Sequence, residues 1–187
     1  MRLRFVLPPG WVGFPLHDAP ACEREVQRAV RALPLDDGQG ARMRRELRDD
    51  LLAQCDRARD SGATYLAIAG PRSAPLSGSL VVTPTRHRVA EDSPAWDEVV
   101  GVDADRFTLP VGRVARTVRT RQPAVGERSD DLASLAVDYW VIVDGDRLVH
   151  VACSTPLVEH DEAMTQLFDA VMGSAVVAEQ DPADEHA

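Results

Sequence analysis

Residues 135–155 read Leu-Ala-Val-Asp-Tyr-Trp-Val-Ile-Val, then Asp-Gly-Asp, then Arg-Leu-Val-His-Val-Ala-Cys-Ser-Thr. The first and last of these runs have the period-two patterning of strands. A three-residue loop at Asp144-Gly145-Asp146 places Val143 opposite Arg147, Val141 opposite Val149 and Tyr139 opposite Val151. One face of the pair is then solidly apolar: Leu135, Val137, Tyr139, Val141 and Val143 from one strand, with Val149, Val151 and Cys153 from the next. The opposite face sets Trp140 across from His150 and Ile142 across from Leu148, so its centre is apolar as well. A sheet wetted on one side would alternate more cleanly. The expectation is an α+β fold in which a central antiparallel sheet has helices on both faces, an α-β-α sandwich.

Upstream, Val111 to Gln122 and Arg106 to Leu109 extend the same pattern and predict a meander of four strands. Val114 and Val118 share one face of their strand, and Arg113, Thr117, Arg119 and Arg121 share the other. Matching apolar faces aligns Arg113 and Arg119 with Trp140, Ile142, Leu148 and His150. That surface reads in two ways. Either a helix covers Trp140 and Ile142 while the arginines meet solvent or Asp138, or the surface is a docking patch.

The remaining elements follow from periodicity. Cys22, Val26, Ala29, Val30 and Leu33 form one helical face over Ala21 to Leu33, which Pro34 ends. After a loop at Asp36-Asp37-Gly38-Gln39-Gly40, the stripe Met43, Leu47, Leu51, Cys55 and Ala58 predicts a second helix packed flat, with an Arg45 to Asp49 ion pair on its other face. Arg2 to Leu7 and Trp11 to Leu16, separated by Pro8-Pro9-Gly10, predict a hairpin or an edge strand with a bend. Thr64 to Ala69 and Ser79 to Thr83 are strand-like and bounded by Gly70-Pro71 and Pro84. Ser93-Pro94 opens a short helix with Trp96, Val99 and Val100. Leu157, Ala163, Leu167, Phe168, Val171 and Met172 mark a closing helix with Asp161 and Glu162 in its first turn. Residues 1–177 are expected to form a single domain, followed by a fraying acidic tail at 178–187.

The chain has 187 residues, 44% of them hydrophobic and 27% charged, enough for one real core. No stretch approaches the ~20 apolar residues of a membrane helix, and neither a span nor a signal peptide is predicted. All 21 basic residues are Arg. Residues 129–187 hold 1 of them against 13 acids, so most of the net charge of −9 is C-terminal. Such a domain repels a phosphate backbone, which disfavours nucleic acid. Cys22, Cys55 and Cys153 are far apart with no Cys-x-x-Cys, and reduced cytoplasmic thiols are the simplest reading.

Chemistry-bearing motifs are sparse. His150 with Cys153 is the sequence-local nucleophile candidate, but positions three apart in a strand point to opposite faces. Glu159-His160-Asp161-Glu162 radiates from a helix start, and helix-dipole complementation explains its acids better than a metal site does. Glycines at 38 and 40 open no phosphate fingerprint, and Ser77-Gly78-Ser79 completes no nucleophile elbow. Arg86-His87-Arg88 reads as a solvated loop after Pro84. No catalytic residue, cofactor or metal is expected.

The element order, together with Gly112 to Arg121, Tyr139 to Leu148, and Val151-Ala152-Cys153-Ser154-Thr155-Pro156 followed by Leu167-Phe168-Asp169-Ala170-Val171-Met172, resembles the PsbP-like fold, including the LpqN-type proteins of actinobacteria. That resemblance implies an antiparallel sheet between helices, no shared catalytic residues and an accessory or binding role. The leading functional expectation is a non-catalytic cytoplasmic protein that binds another, basic, protein. A secretion-associated chaperone and an immunity-type inhibitor fit it equally. The alternatives are a small-molecule binder or small enzyme, with a pocket lined by Arg113, Arg119, Trp140 and His150, and a structural subunit of an oligomer.

Overall fold

The computed structural model describes residues 2–34, 37–70, 76–89, 93–122 and 133–178. In chain order the elements are β1 (Arg2–Arg4), β2 (Trp11–Pro15), α1 (Ala19–Arg31), α2 (Asp37–Asp60), β3 (Tyr65–Ala69), β4 (Ser79–Arg88), α3 (Pro94–Val100), β5 (Asp105–Leu109), β6 (Gly112–Arg121), β7 (Ser134–Val143), β8 (Arg147–Thr155), α4 (Asp161–Gly173) and β9 (Val176–Ala178). One antiparallel sheet has the order β2-β3-β4-β8-β7-β6-β5, and β1 pairs with β9 in a second. The fold class is α+β. Chain contacts divide the protein into two compact units, residues 7–83 and residues 1–6 with 84–187. Among the described residues no helix is long and apolar enough to cross a membrane.

The C-terminal unit is built on the meander. The register of β7 and β8 is the one the three-residue loop dictates, with Tyr139 opposite Val151, Trp140 opposite His150 and Val143 opposite Arg147. Asp144 and Gly145 take positive φ (51° and 84°) to close it, as Asp and Gly readily do. Leu135, Val137, Tyr139, Val141, Val143, Val149, Val151 and Cys153 are each at most 2% exposed. Over this face lies α4, which buries Met164, Phe168, Val171 and Met172 and joins β7 through a hydrogen bond from Tyr139 to Asp169. The other face is covered by α3, whose Trp96 and Val100 pack with Ala115, Ile142 and Leu148. Ser93 caps α3 by accepting from Ala95 N. Helices therefore lie on both faces of the meander, as its two apolar sides require.

In the other unit, α1 and α2 cover the Phe14, Leu16 and Leu66 side of β2 and β3, burying Cys22, Val26, Val30 and Cys55. Asp18 caps α1 by accepting from Ala21 N. Arg59 of α2 donates its Nε to Leu16 O at 2.8 Å, fixing the end of α2 to the end of β2.

Several expectations are corrected. β1 and β2 do not form a hairpin: β1 pairs with β9, whereas β2 pairs with β3 as the edge strand of the large sheet. Residues 176–178 are thus strand, although the sequence assigned 178 to the fraying tail. Asp37 to Gly40 are the opening turn of α2 and not loop; two glycines cost about 1 kcal/mol each, which a 24-residue helix outweighs. The stripe on α2 is covered only in its second half. Cys55 is buried, but Met43 and Leu47 are 45% and 36% exposed. Arg48 takes Asp49 and Arg42 takes Glu46, so the Arg45–Asp49 pair does not form. β4 runs through Pro84, because the β3 ladder ends at Val82 and Pro84 gives up no bond to that neighbour. Arg86-His87-Arg88 is consequently exposed strand, with Arg88 bonded to Asp146 at 2.8 Å. Asp36, Pro71 and the tail from 179 lie outside the described residues.

Candidate functional site

The register of the meander brings three of the four residues singled out in the sequence together around Asp138. Trp140 and His150 face each other across β7 and β8 with stacked rings, centroids 4.2 Å apart and planes 18° from parallel. Asp138, two residues earlier on the same face, is 6% exposed. Its Oδ1 accepts from His150 Nε2 at 2.9 Å, and its Oδ2 accepts from Arg119 Nη2 at 2.6 Å. An ionised carboxylate only accepts, so the proton of this contact sits on Nε2. Arg113 stands opposite Ile142, six residues from Arg119 along β6, or about 20 Å. The two arginines therefore flank the aromatic pair and do not converge on it. Trp140 itself packs against the cluster formed by Trp96, Val100 and Ile142, so α3 fills the space over the aliphatic centre of this face.

Chemically this is a network whose groups are committed to one another. His150's hydrogen bond, with Arg119's, holds the Asp138 carboxyl below its ordinary value against the opposing effect of burial. Since the folded carboxyl titrates below its unfolded reference of 3.8, its stabilisation is present above that pH and is lost as pH falls through the folded value. Asp138→Asn is expected to cost about 1–3 kcal/mol at neutral pH. The gap between wild type and variant in urea unfolding should narrow at about pH 3; a gap that widens in acid contradicts this assignment.

The thiols are withdrawn from chemistry. Cys22, Cys55 and Cys153 are buried and unbridged. Burial, followed by a hydrogen bond with Cys22, pushes the Cys55 thiol up to about 12. Burial likewise raises Cys153, with Asp138 and Asp169 adding to the effect. Cys153 pairs with Val137 while His150 pairs with Trp140, so the two occupy opposite faces as their spacing dictates. Among the described residues no group of three or more His, Cys, Asp or Glu side chains is placed to hold a metal ion.

A second constellation, which sequence reasoning missed, lies on the α4 side. Arg116 stands opposite Tyr139 on β7 and opposite Asp105 on β5. It donates Nη2 to Asp105 at 2.7 Å and Nη1 to Asp169 of α4, which also accepts from the Tyr139 hydroxyl at 2.8 Å. The signal was the isolated charge of Arg116 on the strand face that it shares with Val114 and Val118. Beside this network a groove of about 310 Å3 runs between β6 and α4, lined by Arg116, Val118, Thr165, Gln166 and the carboxylates Asp161, Glu162 and Asp169. Val118 is 44% exposed there. Counting Asp105, the described residues of the groove and its rim include four carboxylates and one guanidinium.

No family model matches the chain, and no curated protein matches it. A crystal structure from Bacteroides thetaiotaomicron VPI-5482 is similar to it at 9% identity with a TM-score of 0.49, covering 95% of this chain and 46% of that one. The chain thus spans less than half the length of that protein.

Proposed function

We propose that this chain is a non-catalytic accessory protein that binds another, basic, protein, and that the partner docks on the groove between β6 and α4. The observation that carries the reading is the character of that groove: an exposed Val118 for apolar contact beside Asp161 and Glu162, with Arg116 already neutralised by Asp105 and Asp169. Opposite charge on a partner steers encounter and fixes register, while a small apolar centre supplies the burial. Commitment of the Asp138–His150–Arg119 network to itself, and of the thiols to the core, supports a binding role over a reactive one. A cytoplasmic location and membership among PsbP-like proteins of the LpqN type belong to the same reading, as do the roles of secretion-associated chaperone and immunity-type inhibitor.

The test uses the full chain as bait in cytoplasmic extract, alongside the charge-reversed Asp161→Arg/Glu162→Arg variant. The expected result is a basic partner whose capture by wild type weakens as salt rises from about 0.05 to about 0.5 M. The variant should retain it about tenfold less well. A partner held equally by both baits, or one that is acidic, would overturn the proposal.

A further inference from the structure

The groove between α1 and α2 has the opposite sign from the rest of this acidic chain. It measures about 280 Å3 and is lined, among the described residues, by Arg31, Gln27 and Val30 of α1 and by Arg44, Arg45 and Arg48 of α2. Spacings of three and four put these α2 side chains on neighbouring strips of the helix surface. Arg31 sits in the last turn of α1, where the helix dipole favours a cation. The α2 arginines lie well inside a 24-residue helix, beyond the reach of either terminus, so no dipole accounts for them. Ion pairing accounts for only part of the charge. Arg48 is bonded to Asp49, whereas Arg31 and Arg45 have no carboxylate partner among the described residues. In a protein with 30 acids and a net charge of −9, four guanidinium groups line one cleft, and two of them, Arg31 and Arg45, have no carboxylate partner among the described residues.

We propose that this groove binds an oligophosphate, either inorganic or as the phosphate chain of a nucleotide. Guanidinium groups present planar forks that match phosphate oxygens two at a time, and several arginines drawn from two helices suit an anion with more than one phosphate. The volume is near the lower end of small-ligand sites. A compact anion also fits the charge balance better than a long nucleic-acid backbone. Screening confines its electrostatics to the local cluster, whereas affinity for a polymer rests on neutralising many phosphates along its length. The proposal does not depend on the basic-partner reading, which concerns other residues in the other unit.

Isothermal titration of the full chain with tripolyphosphate, orthophosphate and ATP at about 50 mM salt tests it. Tripolyphosphate should bind saturably at one site and more tightly than orthophosphate. Arg31→Gln/Arg45→Gln should weaken it about tenfold or more. Arg42→Gln is the control, because Arg42 is bonded to Glu46 and does not line the groove, and it should change affinity less than about twofold. Both substituted residues are exposed, and an unchanged circular dichroism spectrum confirms that the variants fold. ATP binding more tightly than tripolyphosphate would assign the nucleotide form, and equal affinity the inorganic one. Three results would overturn the proposal: no binding at about 10 mM ligand, where any affinity is too weak for a built site; equal damage from Arg42→Gln; or a single-stranded RNA bound in preference to tripolyphosphate through the same arginines.

Discussion

Asp169→Ala should lower the stability of the protein by about 3 kcal/mol, roughly three times the cost of Tyr139→Phe. Tyr139 is fully buried, and its hydroxyl donates to Asp169 at 2.8 Å. Removing the carboxylate leaves the hydroxyl of a fully buried tyrosine without its acceptor, and it also strips Arg116 Nη1 of its bond. Arg116 is only 21% exposed through its side chain, and its Nε is already buried without a partner. An unsatisfied buried donor costs its full desolvation, and a hydrogen bond to a charged group is worth more than a neutral one. Tyr139→Phe removes the donor together with its need and leaves Asp169 with Arg116, so its cost is the smaller net value of one bond. The phenol stays protonated throughout, because burial first and the bond to Asp169 second push its pKa upward. Urea unfolding of the two single variants and the double variant checks this. The double should cost less than the sum of the singles, since with Phe at 139 the loss of Asp169 orphans only Arg116. Near-equal single effects would show that the tyrosine, not the carboxylate, organises the network. Because Asp169 also lines the β6–α4 groove, the partner-binding test is placed on Asp161 and Glu162, which are exposed and take no part in this network.

The contrast between what residues 135–155 revealed and what they hid has a physical basis. Parity in a strand is strict, so a two-sided apolar pattern and one short loop determine register, burial and the need for two helical layers. Matching apolar faces extends the reading to β6 and puts Arg119 on the face of Trp140 and His150 with no knowledge of the helices, while leaving open whether it meets solvent or Asp138. The Arg116–Asp169–Tyr139 network was not legible because it depends on which residue of α4 crosses the sheet, and ridge-into-groove packing leaves that choice to the whole core. The pairing of β1 with β9 joins three-residue strands at the two ends of the sequence, too short to show a period. The arginine groove has the same origin as the missed network: the helical pattern offers Arg45 a partner in Asp49 on its own helix, and only the packing of α1 beside α2 brings Arg31 to the same groove as Arg44, Arg45 and Arg48. Exposure of Met43 and Leu47 was hidden for a related reason, since helical periodicity reports that a stripe exists and not how far the opposing surface extends.

Gly112→Ala is expected to cost about 3 kcal/mol or more, against about 1 kcal/mol for Gly145→Ala. Both glycines occupy the left-handed half of backbone space, with φ of 137° and 84°, so both substitutions carry backbone strain. They differ in what a methyl group meets. At Gly145 nothing lies within 4 Å, whereas at Gly112 a Cβ would stand 2.1 Å from the carbonyl oxygen of Ile142. That oxygen belongs to the backbone of β7, an inner strand of the meander, and cannot turn aside as a side chain would. Relief requires the start of β6 to move away from β7. Gly112 also pairs with Leu109 where β5 returns into β6, and the next residue, Arg113, is registered on Ile142. The displacement therefore loosens β5 and with it the Asp105 to Arg116 bond at 2.7 Å. Hydrogen exchange should show the β5 and β6 amides losing protection in Gly112→Ala while those of α1 and β2 keep theirs. Equal, small effects at positions 112 and 145 would mean that β6 and β7 do not approach as closely as the register implies, and the placement of Arg119 beside Asp138 would lose its support.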